Sequence, residues 1–278
     1  MKEKKLHISG EMMVFIGALL WSITSPLVKL LTLDPLQICG LRSAIAGFVL
    51  APYIQKRQLN WGLWMLVYVI SFTMLSLTII ISLKLTSAPI AIGMQYTSII
   101  WLFLMNFLKT KQFNLRRFIP VCVVSVGVIL FMCSGTDNTN TTGNLIALSS
   151  GMFFALMTVS SKKAAGTNPL GLTAIANIFS ALTLIFIFQT TILNVSVLGG
   201  RDWIVMLILG IIASGGGYVF YNIGVQKVSA GKATILALWE MILGAVWVAL
   251  FLNEYPSIIV IIGFLIVIIG IILDGNLN

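Results

Sequence analysis

Residues Ala230 to Asn253 read AGKATILALWEMILGAVWVALFLN, an apolar run with one acid, Glu240, near its middle. About 20 helical residues rising ~1.5 Å each cover the ~30 Å hydrocarbon core of a bilayer, so the run is long enough to cross one. An ionised carboxylate at that depth costs several kcal/mol unless it faces protein, water, a cation or a proton. Two readings follow. Glu240 is either the floor of a binding site or a structural acid, protonated or paired with Arg42, the other charge well inside an apolar stretch.

The rest of the chain resembles this stretch in composition. Of its 278 residues 59% are hydrophobic and 9% charged, with a mean hydropathy of +1.04, far from the roughly 25% charged residues of soluble domains. This is the composition of an all-α polytopic membrane protein. The three cysteines, Cys39, Cys122 and Cys133, lie in or at the ends of apolar stretches without metal or redox spacing, so small packing residues are expected and neither a disulfide nor a metal site. No cofactor is expected. The only histidine, His7, precedes the first apolar run, which excludes a histidine proton relay or a Ser-His or Cys-His pair inside the membrane.

Ten spans are expected: Met12 to Leu31, Pro35 to Tyr53, Leu63 to Leu83, Pro89 to Leu108, Phe118 to Cys133, Asn144 to Ser161, Pro169 to Gln189, Trp203 to Gln226, Ala230 to Asn253 and Ser257 to Leu273. The first has the basic start of a signal peptide but full span length and no A-x-A-like exit, so it is kept as a helix. Pro26 should kink it and free a carbonyl near Ser22. Asp34-Pro35 reads as an N-cap and first helical residue. SGTDNTNTTG, Ser134 to Gly143, is the best linker and divides the chain into halves at 1–136 and 137–278.

Basic residues orient these spans. An even number puts both termini on one side, and if that side is the cytoplasm it holds Lys2, Lys4, Lys5, Lys56, Arg57, Lys109, Lys111, Arg116, Arg117, Lys162, Lys163, Lys227 and Lys232. The other side holds Lys29, Lys84 and Arg201. That positive-inside bias accounts for most of the net charge of +9, which in a soluble protein would point to acidic partners; no nucleic-acid partner is expected.

The chain also repeats. Shifted by 134, Asp34-Pro35-Leu36 falls on Asn168-Pro169-Leu170, Gly17 on Gly151, Thr24 on Thr158 and Lys29 on Lys163. Shifted by 142, Ser87-Ala88 falls on Ser229-Ala230 and Ala91 on Ala233. Each half has five crossings, so the second enters from the opposite face, the inverted-repeat plan of many secondary transporters.

WSITSPLVK in span one, DP followed by Arg42 in span two, QYTS in span four, GYVFYN in span eight, and LWE with a closing NE in span nine resemble the EamA-type family of the drug/metabolite transporter superfamily. The similarity covers almost the whole chain. Where the family often has Glu-Pro, this chain has Glu240-Met241, and the first half has Ser98-Ile99 at the corresponding place. The resemblance implies a transporter rather than an enzyme, working by alternating access, with the first four helices of each half around the cavity and the fifth supporting association. Gly263 and Gly270, seven residues apart on span ten, could then serve a homodimer or packing within the chain.

Helical phase gives the cavity-facing residues. Ala237, Gly244 and Trp247 share a face with Glu240, where small residues leave ligand volume or allow close helix packing. Span eight contributes Ser214, Tyr218, Tyr221 and Asn222; span four, Gln95, Tyr96 and Ser98; span one, Trp21, Thr24 and Ser25; span six, Thr158. Each alone is ordinarily interhelical glue, whereas together they outline a site. A carboxylate, hydroxyls, amides and aromatic faces suit an amino acid or related amphipathic metabolite: its ammonium would meet Glu240, and a carboxylate could reach Arg42 or the neutral donors. Quaternary amines or cationic drugs are the alternative substrates. A membrane enzyme is less expected, since the interior offers one acid and no histidine. If transport is proton-coupled, Glu240 is the acid deep enough to exchange the proton. A plasma-membrane location with cytoplasmic termini completes the expectation.

Overall fold

The computed structural model describes residues 9–134, 140–164, 166–192 and 198–275. Thirteen α-helices are defined among them. Span one is α1 (Gly10–Ser22) and α2 (Thr24–Leu30), broken at Ile23, three residues before Pro26, as a missing proline N–H requires. Span two is α3 (Pro35–Leu50); Asp34 Oδ1 accepts from Leu36 N at 2.8 Å while Gln37 reaches back to Asp34 N. Asn168 caps the corresponding helix of the second half through Leu170 N at 3.1 Å.

Span three is α4 (Leu63–Leu85). Span four is two helices, α5 (Ala88–Gln95) and α6 (Ser98–Thr110), joined by a turn at Tyr96-Thr97. Then come α7 (Leu115–Cys133), α8 (Thr141–Lys163) and α9 (Pro169–Ile192). Span eight starts as α10 (Gly200–Leu207), widens into a π-helix over Ile208–Gly217 and closes as α11 (Tyr218–Val225). Gly215-Gly216-Gly217 sits at the end of that π segment. The chain finishes with α12 (Ala230–Leu252) and α13 (Ile258–Gly275).

Nine of the expected spans are long and apolar enough to cross a membrane among the described residues; the tenth, in α13, is a shorter apolar helix. The outer surface is apolar too: Phe48 is 83% exposed, Phe186 86% and Ile258 76%. A monomer in water does not leave such a belt bare.

Packing partners exchange when the two halves are exchanged. α4 lies on α8 as α1 lies on α11 and the π segment; α1 lies on α12 as α8 lies on α5 and α6. Two helices pair with their own counterparts, α3 with α9 and α7 with α13. Both pairs run antiparallel: Gly47 meets Ile178 while Ser43 meets Ser180, and Val124 meets Gly270 while Phe131 meets Gly263. Gly263 and Gly270 therefore pack against α7 of the same chain, and that seam is filled from within. Lipid offers no hydrophobic drive for helix association, so such close contacts supply it.

Candidate functional site

The break in span four decides where the site lies. Tyr96, fully buried, stands in the turn between α5 and α6 instead of on a regular helical face, and its hydroxyl reaches across to α12. There it lies 3.0 Å from Glu240 Oε2 and also donates to the Ala237 carbonyl. Gln95 Nε2 donates to the same Glu240 oxygen at 3.4 Å. Glu240, 9% exposed, is thus held by two neutral groups, and no ion pair forms to it among the described residues.

Its carboxylate lines a cavity shared with Trp21, Thr24, Ser25, Arg42, Gln95 and Tyr218, the wall being completed by Leu75, Ile79, Leu83, Ile92 and Phe154. The cavity has ≈ 460 Å³ of space between atoms, but only ≈ 30 Å³ can hold the centre of a water-sized sphere. A water needs ~10–15 Å³ by that measure, so this closed form has room for a few waters and none for a metabolite.

Arg42 is 2% exposed, and its Nη2 donates to Ser76 Oγ at 2.5 Å, a hydroxyl that also touches Cys39 Sγ at 3.1 Å. Arg42 Nε has no hydrogen-bond partner among the described residues. Trp21 stacks edgewise on Tyr218, ring centroids 4.6 Å apart, and is tilted against Tyr221 at 4.8 Å.

Other residues expected at the site are placed elsewhere. Gly244 sits where a Cβ would meet Ile92 at 2.9 Å and Ser25 Oγ at 3.2 Å, so its smallness serves helix contact. Trp247 Nε1 donates to Ser22 Oγ at 3.1 Å. Ser98 is buried on α6 and Ser214 in the π segment, each hydroxyl without a partner among the described residues, and neither lines the cavity. Thr158 and Tyr221 hydrogen-bond to each other at 2.7 Å. Asn222 donates to Tyr68 at 2.6 Å and Thr173 at 2.9 Å and accepts from Ser161 at 2.7 Å, a saturated side chain that ties four helices together.

At one end of the bundle charges and backbone tie span one, α4, α5, α8 and the residues after α12 together. Lys29 pairs with Glu254 at 2.8 Å and donates to Thr86 O at 3.3 Å, Glu254 accepts from Ala88 N at 3.1 Å, and Lys84 donates to Leu31 O. Thr86 Oγ1 meets Asn144 Oδ1 at 2.7 Å. At the other end of the same helix pair Lys232 meets Glu11 at 2.5 Å. The cysteines are free, Cys39 buried and the other two exposed.

The model of the EamA-like transporter family matches residues 8–133 and again 141–273. Among solved structures, one protein crystal structure superposes with a TM-score of 0.71 over 96% of this chain and 97% of its own, at 16% identity. That likeness concerns the fold. No curated protein matches.

Proposed function

The chain belongs to the EamA-like transporter family, and from that premise we propose that it is a ten-span secondary transporter. It works by alternating access between two inverted five-helix halves, 1–136 and 137–278, and exports amino acids or related small amphipathic metabolites. The observation that carries this reading is Glu240: a nearly buried acid, halfway along α12, facing a cavity and held among the described residues by Tyr96 and Gln95. An acid at that depth with no ion-pair partner among the described residues is a place for a proton or an ammonium to bind in turn.

Proton exchange at Glu240 couples export to the gradient. The antiparallel pairing of α3 with α9 and α7 with α13 supports inverted halves. The distribution of Lys and Arg supports a plasma-membrane protein with both termini in the cytoplasm. In proteoliposomes loaded with a mixture of L-amino acids, efflux depends on pH in the wild type. Glu240→Gln, which keeps the hydrogen-bonding shape and removes the titration, is expected to abolish that dependence. An unchanged pH response would remove Glu240 from coupling.

A further inference from the structure

Arg42 and Glu240 line one cavity without an ion pair between them. Each is held instead by neutral groups, Arg42 by Ser76 and Glu240 by Tyr96 and Gln95. A buried guanidinium carries five N–H donors and ordinarily takes a carboxylate in a forked pair. Here Nε–H has no acceptor among the described residues although the side chain is 2% exposed. Beside it on the same wall stands Tyr218, 6% exposed, whose hydroxyl enters no hydrogen bond among the described residues while its ring is held by Trp21 and Phe72. Donors from different helices thus stand on one cavity wall without an acceptor among the described residues, and Trp21 Nε1, on the same wall, lacks one too.

We infer that Arg42 and Tyr218 form a carboxylate subsite, so that the transported molecule bridges the cavity with its acid group at Arg42 and its ammonium at Glu240. This deepens the transport reading and rests on it. It also separates the two substrate classes left open by the sequence. A quaternary amine satisfies Glu240 but leaves the Arg42 Nε–H without an acceptor and adds a cation to a cavity that already holds one. A zwitterion satisfies both ends and brings no net charge into the membrane interior. Ser76 fixes one edge of the guanidinium and leaves the Nε edge for the ligand.

The test uses the full chain in proteoliposomes loaded in parallel with the L-amino acids, their carboxamides, or choline, with efflux followed by mass spectrometry in chloride and in gluconate buffer. At least one amino acid is expected to leave faster than from protein-free vesicles, and its amide about tenfold or more slower, because a site built to pair a group rejects the analogue lacking it. Tyr218→Phe and Arg42→Lys are expected to raise the KM for the acid several-fold more than the KM for its amide. Tyr218→Phe removes one oxygen and keeps the ring contacts, so it reports even if Arg42→Lys does not fold. Amide or choline leaving as fast as the amino acid, or a flux that needs chloride and ignores Tyr218→Phe, would overturn the carboxylate subsite and leave transport standing. No protein-dependent efflux of any of the three would overturn both.

Discussion

At the scale of single residues, packing and chemistry make different demands on the interior, and glycine shows the first most plainly. A Cβ on Gly224 would lie 2.5 Å from Val14 Cγ2, 2.6 Å from Gly10 O and 2.7 Å from Val14 N. Two of those atoms are backbone and cannot turn aside. Gly224→Ala is therefore expected to push α1 off α11 and cost about 1–3 kcal/mol, read as a lower Tm in detergent, whereas Gly200→Ala, with nothing within 4 Å, leaves Tm unchanged. Equal melting of the two variants would contradict the α1–α11 contact. Chemistry was harder to read from sequence than packing. Glu240 and Arg42 stand out in an apolar chain and need no structure to be noticed. Thr158, Tyr221 and Asn222 have the same polarity and helical phase as Thr24 and Gln95 on the cavity wall, yet spend their hydrogen bonds on one another and on Tyr68, Thr173 and Ser161. The apolar wall of Leu75, Ile79, Leu83 and Ile92 was invisible because every span is rich in such residues.

At the scale of elements, spans and caps were legible and their irregularities were only partly so. Pro26 announces the break at Ile23, and Gly215 to Gly217 marks the end of the π segment in span eight. The turn at Tyr96-Thr97 has neither a proline nor a glycine within it, so propensity gives no warning; it is fixed by tertiary bonds that Tyr96 makes to α12. Span one and α12 are tied at both ends, by Lys29 with Glu254 and by Glu11 with Lys232. The first pair is about one-fifth exposed and also holds the N-terminus of α5 through Ala88 N, while the second is roughly half exposed and solvated, where ion pairs contribute little. If the Lys29 end opens during transport, joining Lys29→Cys to Glu254→Cys with a short bifunctional thiol reagent is expected to stop efflux in a background lacking Cys39, Cys122 and Cys133. Full efflux in the joined protein would show that this end stays shut throughout.

At the scale of the molecule, two halves that exchange partners symmetrically enclose one cavity too small for a metabolite in the form described. A protein that moves a metabolite through such a cavity must open it to one face and then to the other, and symmetric halves make the two open forms near equivalents. Only one half carries an acid there, Glu240, where the other half has Ser98, so the frame is symmetric and its charge is not. The most direct measurement of this account is side-specific labelling of Thr24→Cys, on the cavity wall beside Glu240, in the cysteine-free background and in oriented vesicles. Alternating access predicts that a membrane-impermeant thiol reagent reaches position 24 from either face, and that conditions raising access from one face lower it from the other. Labelling from a single face under every gradient and load would contradict it.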